Sequence, residues 1–163
     1  MSFAADTRQL AQELDRVAEA AHSVEELMSV IVARLMERLP KYDWVGFYMI
    51  EKGRGGAPDM LVLGPYIGAP TPHKRIPLDQ GICGAAASSG QTVVVDDVRQ
   101  DPRYLACSVD TKSEIVVPVY AMGRVVGELD IDSHSLAAFD AEDRRLVEHC
   151  AELVGRQLEK TAS

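Results

Sequence analysis

The chain has 163 residues, enough for one domain with a real core and too few for two ordinary ones. Hydrophobic residues make up 47%, which suits a packed globular protein, and a formal net charge of −8 disfavours binding to nucleic acid phosphates. No apolar run is long enough to span a bilayer and the N-terminus carries no secretory pattern, so a cytoplasmic protein is expected, with its three cysteines reduced by default.

In chain order, residues 5–21 place Leu10, Leu14, Val17 and Ala21 at helical spacing. Ser23-Val-Glu-Glu26 reads as a capping box, and the helix behind it presents Leu27, Ile31 and Leu35 before stopping at Pro40. From Tyr42 the pattern turns aromatic and β-branched, predicting a strand through Trp44-Val-Gly-Phe-Tyr48-Met-Ile. Gly53 to Gly56 makes a turn, and Met60 to Ile67 forms the second strand of a hairpin. Residues 68–80 hold three prolines and read as a loop with a short extended piece at Arg75-Ile-Pro77. Gly81 to Ser88 is a short helix, and Thr92 to Val95 a buried strand. Asp96 to Asp110 is irregular and carries Cys107. Strands are predicted over Ile115–Met122 and Val125–Ile131, joined at Gly123-Arg124. Asp140 then caps a last helix whose buried stripe is Leu146, Val147, Cys150, Leu153 and Val154. The expected fold class is α+β: one antiparallel sheet with helices gathered on one side. Residues 1–163 form a single domain, with helices in 1–40, sheet and site loops in 42–133, and a C-terminal helix in 139–160.

Chemistry-bearing residues stand out from this frame. Cys107 sits in a polar, irregular segment rather than an apolar stripe, whereas Cys150 lies on such a stripe and reads as packing. Cys83 occupies the first turn of a helix, where free amides and the dipole lower a thiol's pKa; it reads equally as a small residue packed between glycines. Asp130 and Asp132 share strand parity and so face one side of the sheet, as does Glu128. Asp is disfavoured within strands, so the alternation suggests a purpose beyond solubility. With Glu114, these carboxylates could hold a substrate ammonium, and crowding would keep one of them protonated for general-acid work. Gly81 and Gly84 flank a helix start whose amides could accept a carboxylate. An amino acid thus finds a complement for each charged end. His73, in the proline-rich loop, is by default an exposed polar residue, and otherwise one that orients substrate.

Several strings together resemble a known family. Trp44-Val-Gly-Phe-Tyr48, Leu61-Val-Leu-Gly-Pro-Tyr66, Arg75-Ile-Pro77, Gly81-Ile82-Cys83-Gly84, Ser113-Glu-Ile-Val-Val-Pro118 and Leu129-Asp-Ile-Asp-Ser133 are similar to those of the GAF-domain free methionine-(R)-sulfoxide reductases. The resemblance runs from about Trp44 to Phe139. It implies that Cys107 is the attacking thiolate, that Glu114, Asp130 and Asp132 line the substrate pocket, and that Trp44 packs on the methyl end of the substrate. Tyr48, Gly81, Ile82 and His73 are further candidate binding residues. Cys83 matches a second family cysteine. The family's usual resolving cysteine lies ten residues ahead of it, where this chain has His73. Cys83 is therefore expected to resolve the sulfenic acid of Cys107, or an external thiol does so.

The activity implied is reduction of free methionine-(R)-sulfoxide by a cysteine thiolate, through sulfenic acid and disulfide, with recycling by thioredoxin or another dithiol. No metal or organic cofactor is expected, and neither nucleic acid nor membrane is an expected partner. The alternative is a non-catalytic GAF domain that senses a small ligand. The amphipathic helices also suggest a homodimer, since they offer more apolar surface than one small sheet covers.

Overall fold

The computed structural model describes residues 3–105 and 109–162. Cys107, the expected attacking thiolate, lies outside the described residues. Of eleven elements, ten follow the predicted order with few shifts. Helix α1 (Phe3–Ala20) and α2 (Val24–Arg38) precede strands β1 (Trp44–Glu51), β2 (Met60–Ile67) and β3 (Arg75–Pro77). Helix α3 (Gly81–Ser89) and β4 (Val93–Val95) follow, then a 3-10 turn at Val98–Gln100 that has no clear signal in the sequence. Strands β5 (Ser113–Ala121) and β6 (Arg124–Ser133) lead into α4 (Ala141–Ala162).

The helices start where side chains satisfy their orphan amides. Ser23 accepts from the Glu26 amide at 3.1 Å, and the Glu26 carboxylate reaches back to accept from the His22 amide at 2.7 Å. At α4, Asp140 and Asp143 each accept from the other's backbone amide at 3.0 Å. Asp143 is fully buried and also accepts from the Tyr42 hydroxyl at 2.6 Å and from the Lys41 ammonium at 3.2 Å. The start of the last helix is thereby tied to the residues that lead into β1.

All strands pair antiparallel in the order β3-β2-β1-β6-β5-β4. Alternation divides the sheet into two faces. Val45, Phe47, Ile115, Val117, Val119, Leu129 and Ile131 point to the side covered by α1, α2 and α4 and are buried there. Gly155 lets α4 approach closely, since a Cβ at that position would stand 2.0 Å from the Tyr120 carbonyl oxygen. Cys150 is fully buried in this core, and burial pushes its thiol up to about 12, as expected for a packing residue.

The N- and C-terminal helices share one side of the sheet, as expected, but the short helix does not join them. Helix α3 packs on the opposite face, against Trp44, Tyr48, Ile76 and Val116. Its apolar residues, Ile82, Cys83, Ala86 and Ala87, are matched to that second core. The helix stripes that suggested a homodimer are covered within the chain: Leu10, Leu14, Leu27, Ile31, Leu35 and the α4 stripe pack together on the sheet. The surplus of apolar helix surface on which that expectation rested is not present among the described residues. No helix is long and apolar enough to cross a membrane.

Candidate active site

The site grows out of the sheet face beneath α3. Strand register places Trp44 opposite Asp132, Gly46 opposite Asp130 and Tyr48 opposite Glu128. Across the other edge of β6, Glu114 stands opposite Asp132 and Val116 opposite Asp130. Four carboxylates therefore share one face, Glu114, Glu128, Asp130 and Asp132, and none is more than 4% exposed. None of the ion pairs among the described residues involves them. Both oxygens of Glu128, and Oδ1 of Asp130 and of Asp132, are buried without a hydrogen-bond partner.

Burying this much negative charge is costly unless protons or a cation neutralise it. Burial raises the pKa of all four groups above the ordinary carboxylate range. For Glu114, the neighbouring Asp130 and Asp132 add to the effect of burial, while its own hydrogen bonds to them hold their pKa values down. Burial and the two neighbouring aspartates together favour the protonated form of Glu114.

Cys83 enters from the first turn of α3 and donates to Asp130 Oδ2 at 3.4 Å. Its pKa is raised well above the ordinary thiol value, by burial first and then by Asp130, Glu128 and Glu114. The expected lowering by the helix start does not hold here. A dipole of a nine-residue helix, worth a fraction of a charge, is outweighed by full burial and three acidic neighbours. Cys83 is therefore a protonated thiol with a carboxylate in position to take its proton.

An aromatic wall borders the carboxylates. The Trp44 ring lies 5.5 Å from Tyr66 and 6.2 Å from Tyr48, both stacked, and its Nε1 donates to the Ala69 carbonyl at 3.1 Å. Two glycines make room for the indole. A Cβ on Gly46 would stand 2.4 Å from the ring, and one on Gly68, at φ +140, 2.5 Å from it. Tyr48 donates its hydroxyl to the His73 carbonyl at 2.7 Å, so the His73 loop is held against the wall through its backbone. His73 is half-buried rather than exposed. Ile82 is buried under α3. Gly81 opens that helix at φ +72, with Leu105 where a side chain would go, and the N-cap residue Gln80 makes no side-chain capping hydrogen bond.

The structure therefore brings together Trp44, Tyr48, Cys83, Glu114, Asp130 and Asp132, with Ile82 and Gly81 above them and His73 at the rim. Glu128, Gly46 and Tyr66 join them, although the sequence does not mark them as site residues. The signal for Glu128 is the parity of β6, and a glycine inside a strand signals a close approach, here by the indole.

Glu128 gives a test of the electrostatics. Its native pKa is raised, so between the ordinary value of 4.5 and that raised value the native state binds more protons than the unfolded chain. Its contribution to stability is full below the ordinary value. That contribution declines as pH rises through the native one, by about 1.4 kcal/mol for each pH unit that separates the two. Glu128→Gln removes the titrating group. It should leave the melting temperature near pH 4 almost unchanged and raise it by several degrees at pH 8. Thermal melts at the two pH values check this, and a destabilised variant at pH 8 would overturn it.

Residues 21–159 match the GAF domain family. The chain belongs to the GAF domain family. Among its relatives within that family are proteins named as free methionine-R-sulfoxide reductases. The Escherichia coli free methionine-R-sulfoxide reductase is 38% identical over 113 residues, covering 69% of this chain and 64% of the relative. Protein YtsP of Bacillus subtilis is 38% identical over 126 residues, covering 77% and 74%. The crystal structure of free methionine-R-sulfoxide reductase from Neisseria meningitidis, solved in complex with its substrate, superposes with a TM-score of 0.90 at 34% identity. It covers all of this chain and 95% of that one. The GAF fold, with its antiparallel sheet and flanking helices, is as expected from the sequence.

Proposed function

We propose that this GAF domain reduces free methionine-(R)-sulfoxide to methionine. The observation that carries the proposal is the row of buried carboxylates without a cationic partner, set beside the Trp44 wall. Such a face is built for a ligand with an ammonium at one point and an apolar methyl-sulfur end at another. The likeness to the Neisseria enzyme, whose structure holds its substrate, supports the same assignment.

In this scheme the ammonium neutralises Asp130 and Asp132, the carboxylate meets the α3 start near Gly81, and Trp44 packs on the methyl. The Cys107 thiolate attacks the sulfoxide sulfur, Glu114 protonates the sulfoxide oxygen, and that hydroxyl passes to the Cys107 sulfur as the methionine sulfide leaves. One thiolate, one sulfoxide and the Glu114 proton become one sulfenic acid, one sulfide and the Glu114 carboxylate. Cys83 then attacks the sulfenic sulfur. Asp130 accepts the thiol proton and returns it to the leaving hydroxyl, so a disulfide forms and water departs. Thioredoxin or a similar dithiol restores both thiols.

The test is methionine release from free methionine-(R)-sulfoxide with dithiothreitol or thioredoxin, with thiols counted after a single turnover. Release with loss of two thiols per substrate is expected. Binding without release would make the domain a small-ligand sensor. Release that leaves a dimedone-reactive protein and no disulfide would assign resolution to external thiols rather than to Cys83.

A further inference from the structure

Cys83, Glu114 and Asp130 each offer one ligand atom, and the three atoms lie within 4.8 Å of one another, all buried. They come from three separate elements, α3, β5 and β6. A fourth group points the same way. Glu128 is fully buried on the same sheet face, and neither of its oxygens has a hydrogen-bond partner. Asp132 adds one more unpartnered oxygen on the same face. We propose that this cluster binds a single divalent transition-metal ion of the zinc type, with Cys83 as thiolate, Glu114 and Asp130 as oxygen ligands, and water in the fourth position.

The chemistry of the donors selects the ion. Zinc takes four ligands, with sulfur at about 2.3 Å and carboxylate oxygen at about 2.0–2.2 Å. Ligand atoms on one zinc are then roughly 3.3–3.6 Å apart, so the group need close by only about an ångström, within reach of side-chain rotation. Calcium and magnesium prefer an all-oxygen shell, and Cys83 stands where such a shell would be completed. A metal here consumes Asp130, which the proposed reaction needs for the substrate ammonium, Glu114, which it needs as the acid, and Cys83, the thiol it needs for resolution. The ion is therefore an inhibitor that competes with the amino acid, not a cofactor. That competition rests on the proposed function; the binding of metal does not.

Cadmium serves as the probe, because a cadmium–thiolate bond gives an ultraviolet charge-transfer band. A Cys107→Ser, Cys150→Ser double variant keeps Cys83 as its only thiol and should bind one cadmium ion per chain with that band. Zinc should displace it. Cys83→Ser should lose the band. Glu114→Gln, which retains the thiol, should bind more weakly by at least the roughly 10–100-fold seen when mere outer-shell groups are removed. A band that persists in Cys83→Ser, or is absent from the double variant, overturns the site. Undiminished affinity in Glu114→Gln overturns the ligand set. Free methionine should displace cadmium from the wild type. If metal binds but methionine does not displace it, the metal site stands and the shared use of the pocket is wrong.

Discussion

Cys107→Ser is expected to abolish single-turnover methionine release, by about three orders of magnitude or more, as removal of a covalent nucleophile does. A serine hydroxyl is a poor nucleophile toward sulfoxide sulfur and cannot carry the oxygen as a sulfenic acid. The other thiols do not replace it. Cys150 is in the core behind the sheet, its pKa pushed up to about 12. Cys83 is held protonated by burial and by Asp130, Glu128 and Glu114. Cys150→Ser should leave single-turnover release nearly unchanged, since the residue is on the face away from the carboxylates. The paired measurement separates a lost nucleophile from a general loss of fold. Mass spectrometry of the oxidised wild type should place the first added oxygen on Cys107. Normal release from Cys107→Ser, or oxygen found first on Cys83, contradicts the assignment.

Blocking both ends of the substrate should be nearly as damaging. N-acetyl-methionine-sulfoxide amide has no ammonium and no carboxylate. It would bury Asp130 and Asp132 without a counter-charge and leave the α3 amides without an acceptor. Each buried polar group left unpaired costs about 1–3 kcal/mol, so two reduce kcat/KM by roughly 30- to 10⁴-fold. The structure sharpens this expectation, because Asp130 and Asp132 each already carry one unpartnered buried oxygen. Comparable kcat/KM values for the free and the blocked compound would show that the face serves another ligand.

Much of the frame was legible because it rests on local periodicity. The stripes of α1, α2 and α4 were readable from apolar spacing, and the Ser23 and Asp140 caps from the residues that follow them. The parity of Asp130 and Asp132 placed both on one face before any register was known. What escaped was set by contacts between distant segments. Cys83 looked activated because its helix start is local and its acidic neighbours are not: they arrive from β5 and β6. Glu128 shared the visible parity, but its burial depends on α3 lying over it. What Gly46 and Gly68 make room for depends on Trp44, whose ring fills the space beside both. The side of the sheet taken by α3 was hidden for the same reason, since a short alanine-rich helix has little amphipathic pattern to declare a direction.

The strand order has a consequence for how the molecule is made. The central pair of the sheet is β1 with β6, the first strand joined to the last. Asp132 and Trp44, neighbours in the finished sheet, come from opposite ends of the strand region. Until β6 has been synthesised, β1 has one paired edge only, and the carboxylate row cannot form beside the aromatic wall. Contacts this remote in sequence make closing the sheet a late and slow step, governed by loop closure rather than by helix formation. The carboxylate face and the completed fold therefore appear together, and a chain cut short before β6 has neither.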